Sequence, residues 1–336
     1  MIRKLLVIRF SALGDIAMTV PVVASLCRQY PDLDVTVLTN RMGAKIYQTV
    51  LPDLANLKVR GVNPKTEYPG IAGLNKLYHE LCQEHFDALA DLHDVLRTRW
   101  LGLRYALGRS LQRSASIYKG RKEKKDLVKH RISRQLKTSF ERYCDVFAEL
   151  GFPVSLDFTP VPLTSEKVEG EYAIGVAPFA QHAGKIYPKE LMLKVVGGLL
   201  NQRSDVHVYL FGGPNEATEL ESWTSLDPTR ITNTAGKQTL ADDLRLMSRL
   251  DCMVSMDSAN MHLASLVGCR VVSIWGATDI KSGFLGYRQS PDDVVSLPLE
   301  CKPCSVYGNK PCKKGNYECM WGIAPDSVVQ RVFGKQ

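Results

Sequence analysis

The stretch Leu5-Leu6-Val7-Ile8-Arg9-Phe10-Ser11-Ala12-Leu13-Gly14-Asp15-Ile16 decides how this chain is read. Leu5 to Phe10 is a short apolar run ending in turn-formers, the pattern of a buried parallel strand. Ser11 to Gly14 is a small-residue loop, and Asp15 to Tyr30 carries helical spacing, interrupted by Pro21. A strand, a tight loop and a helix at the start predict the first unit of a doubly wound α/β sheet. Ligands of such sheets sit at the carboxyl ends of the strands, so Asp15 is expected to face a cleft. The same position also suits a helix cap. A carboxylate at such a strand end can take a proton from an alcohol.

A chain of 336 residues predicts about two domains with sizeable cores. The 45% hydrophobic and 23% charged content is that of an ordinary soluble globular protein. Arg9 interrupts the N-terminal apolar run too early for a signal peptide. No uninterrupted apolar stretch reaches the about 20 residues a membrane span needs. The expectation is a cytoplasmic protein that can touch a membrane surface. Its formal charge of +8 is concentrated, because Arg109 to Lys137 holds eleven Lys or Arg and two acids. The remaining residues hold 32 bases and 33 acids. This segment predicts a partner with phosphates or carboxylates, or else a solvated loop.

Strand patterns recur at Val35–Leu38, Lys58–Val62, Ala88–Leu92 and Ser114–Ile117, with helical stretches at Ala44–Val50 and Gly73–Glu84. Phe140–Leu150 reads as a helix stopped by Gly151 and Pro153. Three prolines between Pro153 and Pro162 mark a linker, after which the alternation restarts. Strands are predicted at Tyr172–Val176, Val206–Phe211, Cys252–Ser255 and Val271–Trp275. Helices are predicted at Pro188–Asn201, Glu216–Ser225, Leu240–Ser248 and Ser258–Val267. The division is residues 1–160 and residues 161–322, two Rossmann-like domains facing across a cleft. Residues 323–336 are expected to form a closing helix around Pro325–Phe333.

Three places in the second half have phosphate-binding character. Lys185 lies in the loop Pro178 to Lys185, before a helix that opens near Pro188. Asp257-Ser258-Ala259 precedes a helix whose free N–H groups attract an anion, and His262 shares a face with Ser258. Glu216 follows the Gly212-Gly213 turn, where it either accepts from a ribose or favours the helix start. The spaced glycines of a dinucleotide fingerprint are missing, so no nicotinamide cofactor is inferred.

In this order, Ile8 to Pro21, Gly184-Lys185 and Asp257 to Thr278 resemble the ADP-heptose:lipopolysaccharide heptosyltransferases, family nine of the glycosyltransferases. The likeness includes Leu13-Gly14-Asp15, Asp257 with His262-Leu263-Ala264, and Trp275-Gly276-Ala277-Thr278-Asp279, and it covers nearly the whole chain. It implies a GT-B fold, an inverting mechanism, a nucleotide-diphosphate sugar donor such as ADP-heptose, and no cofactor for catalysis. By position Asp15 matches the catalytic base and Lys185 the lysine on the donor phosphate. Asp257, Ser258, Ala259 and His262 match the donor-binding segment. The family usually has Asp-Thr-Gly where this chain has Asp-Ser-Ala, and the added methyl of Ala259 falls where backbone approaches phosphates.

With the donor in the second domain, the acceptor falls to the first. Arg121, Lys122, Lys124 and Lys125 are then candidates for an anionic, lipid-linked core glycan and for peripheral contact with the inner membrane. Cys301, Cys304, Cys312 and Cys319 are spaced by two, seven and six residues, and four thiolates suit a structural zinc, with unligated thiols or disulfides as alternatives. The rival readings are a GT-B transferase for another nucleotide sugar and glycan, and a nucleic-acid-binding protein with a zinc module. Against the latter, Arg109 to Lys137 holds one aromatic residue, Tyr118, and no nucleic-acid fold motif, so no nucleic-acid partner is expected.

Overall fold

The computed structural model describes residues 2–160, 162–164 and 170–334. The chain forms two compact units: Met1–Lys119 with Ser139–Thr159, and Gly120–Thr138 with Pro160–Gln336.

The first unit alternates strand and helix: β1 (Lys4–Arg9), α1 (Leu13–Gln29), β2 (Asp34–Thr39), α2 (Arg41–Val50), β3 (Leu57–Gly61), α3 (Gly70–Cys82), β4 (Ala88–Asp91), α4 (Leu96–Gly108) and β5 (Arg113–Ser116). The strands pair in parallel in the order β3-β2-β1-β4-β5. β1 is central, so Leu5 to Arg9 are buried on both faces and show no alternation. β3 lies at an edge, and its residues are largely half-buried. α1 runs through Pro21, which gives up one helical N–H, and its residues from Ile16 to Cys27 are all buried.

The basic stretch departs from expectation in two ways. It contains a helix, α5 (Arg121–Val128), and its part from Gly120 onward groups with the second unit although a boundary at 160 assigned it to the first, while Arg109 to Lys119 stays in the first unit. The reason is packing within that unit. Lys124 is buried with its ammonium 4.3 Å from the centre of the Phe284 ring. Leu136 N–H donates to Lys281 O at 2.9 Å. Gly283, at φ +84°, lies so close to Lys137 that a Cβ would meet its carbonyl oxygen at 2.4 Å. α6 (Ser139–Glu149) belongs to the first unit again and packs on α1. The proline-rich stretch follows α1 as well: Asp157 N–H donates to Ser25 Oγ, and Gln29 donates to Ser155 O.

The second unit continues with β6 (Tyr172–Ala177), α7 (Lys189–Gln202), β7 (Val206–Leu210), α8 (Ala217–Trp223), β8 (Ile231–Asn233), α9 (Leu240–Met247), β9 (Cys252–Met256) and α10 (Ala259–Leu266). It closes with β10 (Val271–Trp275), β11 (Val294–Ser296), α11 (Glu318–Trp321) and α12 (Pro325–Phe333). Its parallel sheet has the order β11-β10-β9-β6-β7-β8. α12 packs on α7, and Val328, Val329 and Val332 join the core of this unit. β8 and β11, three residues each, and the helix α4 are elements that the sequence pattern does not reveal.

Candidate active site

In each sheet the chain builds outward from one strand to one side and then to the other. The reversal falls between β1 and β4 in the first sheet and between β6 and β9 in the second. These are the positions where open α/β sheets bind ligands, at the carboxyl ends of the strands.

Asp15 follows β1 in the first turn of α1, and its Oδ2 accepts from Ala12 N–H at 3.2 Å. The capping role is thus filled, and the carboxylate stays 32% exposed. The same oxygen lies 2.6 Å from Arg9 Nη2. Arg9 is buried, donates through Nη1 to Leu92 O at 2.5 Å, and sits 5.9 Å from the centre of the Tyr143 ring. Burial opposes the charge of Arg9, and the fields of Tyr143, Asp15 and Asp91 outweigh it, so the guanidinium stays protonated.

His93 stands beside this pair, just after β4. Phe10 N–H donates to its Nδ1 at 3.4 Å, and its Nε2 lies 3.2 Å from Ser11 Oγ. With Nδ1 accepting, the ring carries its proton on Nε2 and donates to the serine. Burial, and then the charges of Arg9 and Lys119, push the His93 pKa down to about 4, so the ring is neutral at physiological pH. Asp91 Oδ1 fixes the loop by accepting from the N–H groups of His93 and Asp94. Sequence reasoning missed Arg9 and His93. They are 84 positions apart in the chain and meet because Ile8 pairs with Asp91 across neighbouring strands.

In the second unit Lys185 follows β6 and Asp257 follows β9. Lys185 Nζ lies 2.8 Å from Asp257 Oδ2, and Thr278 Oγ1 donates to the same oxygen at 2.9 Å. Asp257 and Thr278 are both buried. The lysine needs small neighbours: a Cβ on Gly184 would meet Gly308 O at 2.9 Å, and one on Gly308 would meet Lys185 Cγ at 2.6 Å. Asp257 therefore touches the lysine and not the helix end. The residue at the N-cap of α10 is Ser258, whose hydroxyl makes no cap bond and lies 3.3 Å from Ser255 Oγ. Ala259 opens the helix, and His262 is buried one turn further on. Thr278 was quoted for the family motif but not assigned to the site; its role becomes visible only when the β10 loop is folded beside β9.

Glu216 is taken up locally, because its Oε2 accepts from Gly213 N–H at 2.6 Å in a short 3-10 turn. That is the helix-start role of the two alternatives. Of the basic candidates, Arg121, Lys122 and Lys125 are exposed. Lys124 is not, and its burial under Phe284 takes it out of the group offered to an acceptor.

The four clustered cysteines, all free thiols, line one small pocket with Lys302, Lys310 and Lys314. Among the described residues no three His, Cys, Asp or Glu side chains are gathered in a way that could hold a metal ion. Backbone N–H groups of Tyr317, Lys314, Gly315 and Asn316 pull the Cys312 thiol below its usual pKa. Burial, and then the neighbouring sulfurs, raise that of Cys304. This segment braces the loop that carries Lys185. Cys304 and Ser305 N–H groups both donate to Ala277 O, and Ala277 N–H donates to Gly184 O, next to Lys185. Lys302 adds hydrogen bonds to Trp275 O and Ser296 Oγ.

The family described as "Glycosyltransferase family 9 (heptosyltransferase)" matches residues 74–314. The lipopolysaccharide core heptosyltransferase OpsX of Haemophilus influenzae is 23% identical over 292 residues, 81% of this chain and 79% of that protein. Among solved structures, the Escherichia coli heptosyltransferase WaaC with ADP has a TM-score of 0.70 at 16% identity, covering 99% of this chain and 100% of that one. The same enzyme with ADP-2-deoxy-2-fluoro heptose has a TM-score of 0.68 at 16% identity, covering 99% and 100%. At these identities the structural likeness shows the GT-B fold and nothing finer.

Proposed function

This chain belongs to glycosyltransferase family 9, the heptosyltransferases, and from that premise we propose an inverting transfer of heptose from ADP-heptose onto a lipopolysaccharide or lipo-oligosaccharide core acceptor. The observation that carries the proposal is the pair of charged contacts at the two strand reversals, Arg9 with Asp15 and Lys185 with Asp257. Asp15 takes the proton of the acceptor hydroxyl, whose oxygen attacks the anomeric carbon from the face opposite the nucleotide. Arg9 and Ala12 N–H keep the carboxylate in place. As the nucleoside diphosphate leaves, Lys185 and the first N–H groups of α10 stabilise its growing charge. Asp257 and Thr278 hold the lysine rather than the donor. No metal is needed where these groups neutralise the diphosphate.

The ADP seen in WaaC supports an ADP-linked donor. Exposed Arg121, Lys122 and Lys125 suit the phosphates of a lipid-linked acceptor. Among the described residues no helix is long and apolar enough to cross a membrane. We place the enzyme at the cytoplasmic face of the inner membrane as a peripheral protein. The test is a panel of nucleotide sugars. ADP-heptose is expected to raise the melting temperature most and to support transfer to a core acceptor. A larger shift with another nucleotide sugar, with transfer of that sugar, selects the rival GT-B reading. Structural zinc rests on the donor chemistry of four thiols alone. One zinc per chain in protein purified without chelator supports it, and a metal-free, folded and active protein rejects it.

A further inference from the structure

Helix α4 is apolar on two opposite faces. Its inner face, with Thr98, Leu101 and Tyr105, is buried in the first unit. On its outer face Leu96, Trp100, Leu103 and Leu107 follow one another at helical spacing and form a continuous ridge. Leu96 is 85% exposed, Leu103 50% and Leu107 71%, so nothing within the unit covers them. Trp100 Nε1 donates to Asn75 on α3, and Ile71, one turn earlier on α3, is exposed too. α4 carries Arg97, Arg99 and Arg104 and no carboxylate. On a helical projection Arg97 and Arg104 flank the ridge on one side and Arg99 on the other; Arg97 is exposed, Arg99 pairs with Asp94 at 2.6 Å, and the Arg104 guanidinium lies half-buried 4.9 Å from the centre of the Tyr78 ring, so Arg97 is the main cation offered to a lipid phosphate.

We infer that α4 docks the protein on an anionic lipid bilayer, with the leucine ridge in the headgroup–acyl boundary and the arginines at the lipid phosphates. The inference deepens the proposed function and rests on its lipid-linked acceptor. An exposed apolar ridge between cationic flanks is the pattern that an anionic membrane surface complements. A second copy of the chain fits worse, because a two-fold contact through this face sets the arginines of both copies against each other. The placement also suits the chemistry. α4 begins just after the loop that holds His93 beside Ser11, at the Asp15 end of the first sheet. The ridge lies outside Gly120–Thr138, so docking by α4 is separable from any role of the basic helix α5.

The experiment is co-sedimentation with phosphatidylglycerol vesicles and with phosphatidylcholine vesicles, for the wild type and for Leu96→Ser/Leu103→Gln/Leu107→Gln. The triple variant is expected to lose about tenfold or more in phosphatidylglycerol partitioning. Its melting temperature and ADP affinity should stay at wild-type values. Part of the wild-type binding should survive high salt, because the ridge is apolar and only the arginine contribution is screened. Leu107→Gln alone, near the end of the helix, gives a smaller loss of the same kind if the triple variant folds poorly. Equal sedimentation of variant and wild type overturns the inference. So does a wild-type dimer that the triple variant makes monomeric. Transfer to a deacylated, water-soluble acceptor should be unaffected in the variant. If no protein transfers heptose but the wild type binds vesicles through α4, the proposed reaction falls and the docking surface stands.

Discussion

At the reversal point of the first sheet, Arg9 is 8% exposed behind Asp15 at 32%; at that of the second, Asp257 is 4% exposed behind Lys185 at 15%. The two sheets use one arrangement with the signs exchanged. Each sets a cation against a carboxylate at a strand end, within the β1–α1 turn in the first sheet and across the ends of β6 and β9 in the second, and buries one of them more deeply. The buried partner fixes the geometry, and the more exposed one is the group to which the proposed reaction assigns a ligand. The first sheet therefore offers a carboxylate, suited to accept a proton. The second offers an ammonium, suited to a diphosphate. Nothing in the α/β scaffold dictates this difference. It follows from which member of the pair sits on the strand side of the contact, as Arg9 does in β1, or just past the strand end, as Asp257 does after β9.

The largest effect expected from breaking the comparison is at Asp15. Asp15→Ala should cut turnover by about 100- to 10,000-fold while leaving ADP affinity unchanged. Turnover close to wild type would remove Asp15 from the mechanism and leave its capping of α1 as its whole role. The mirror experiment is Lys185→Ala, expected to weaken ADP binding by about 10- to 100-fold in calorimetry. The change also strands the buried carboxylate of Asp257, so the melting temperature should drop as well. Lys185→Met combined with Asp257→Asn should recover the melting temperature and not the ADP affinity. If the double variant regains ADP binding, the lysine is not the group that meets the diphosphate.

A smaller effect concerns acid stability. The folded-state pKa of His93 is about 4, below its usual 6.5. The unfolded chain therefore binds the extra proton first, and stability falls as pH drops from about 6.5 toward 4, by up to about 3 kcal/mol. Urea unfolding of the wild type and of His93→Gln should diverge over that window, with the variant losing less. Parallel curves would mean that the ring takes up its proton without cost. The smallest expected effect is at the exposed basic residues. Arg121→Gln/Lys122→Gln/Lys125→Gln should raise the KM for a core acceptor several-fold, about 1 kcal/mol per contacting base near an anionic surface being the upper bound. Its ADP affinity should not change, and equal acceptor kinetics would mark α5 as a solvated helix.

What the sequence made legible follows from locality. The run Leu5 to Ile16 could be read because a strand buried on both faces is a block of apolar residues and its loop and helix follow at once. α4 could not, since Leu96, Leu103 and Leu107 outside and Leu101 and Tyr105 inside leave no single apolar face. The helix of the basic segment was hidden by its charge, and its attachment by contacts to Phe284 and Lys281 far along the chain. The same holds at the site. Asp15, Lys185 and Asp257 stand next to strand ends and were found there, while Arg9 served only as the residue that breaks an apolar run. Its pairing with Asp15 needs the exact turn between β1 and α1, and its neighbour His93 needs the pairing of β1 with β4.

The excursion of Gly120–Thr138 bears on how this protein can be taken apart. A cut at residue 160 would not release two self-sufficient fragments. The N-terminal piece would carry α5 with the buried surfaces of Leu127 and Leu136 stripped of cover, and the C-terminal piece would expose the Phe284 ring that Lys124 caps. A soluble second half calls for residues 120–138 spliced ahead of residue 160, and a soluble first half for a short bridge from Lys119 to Ser139. Inheritance is constrained in the same way. Recombination at the proline-rich stretch would part α5 from the unit it packs in.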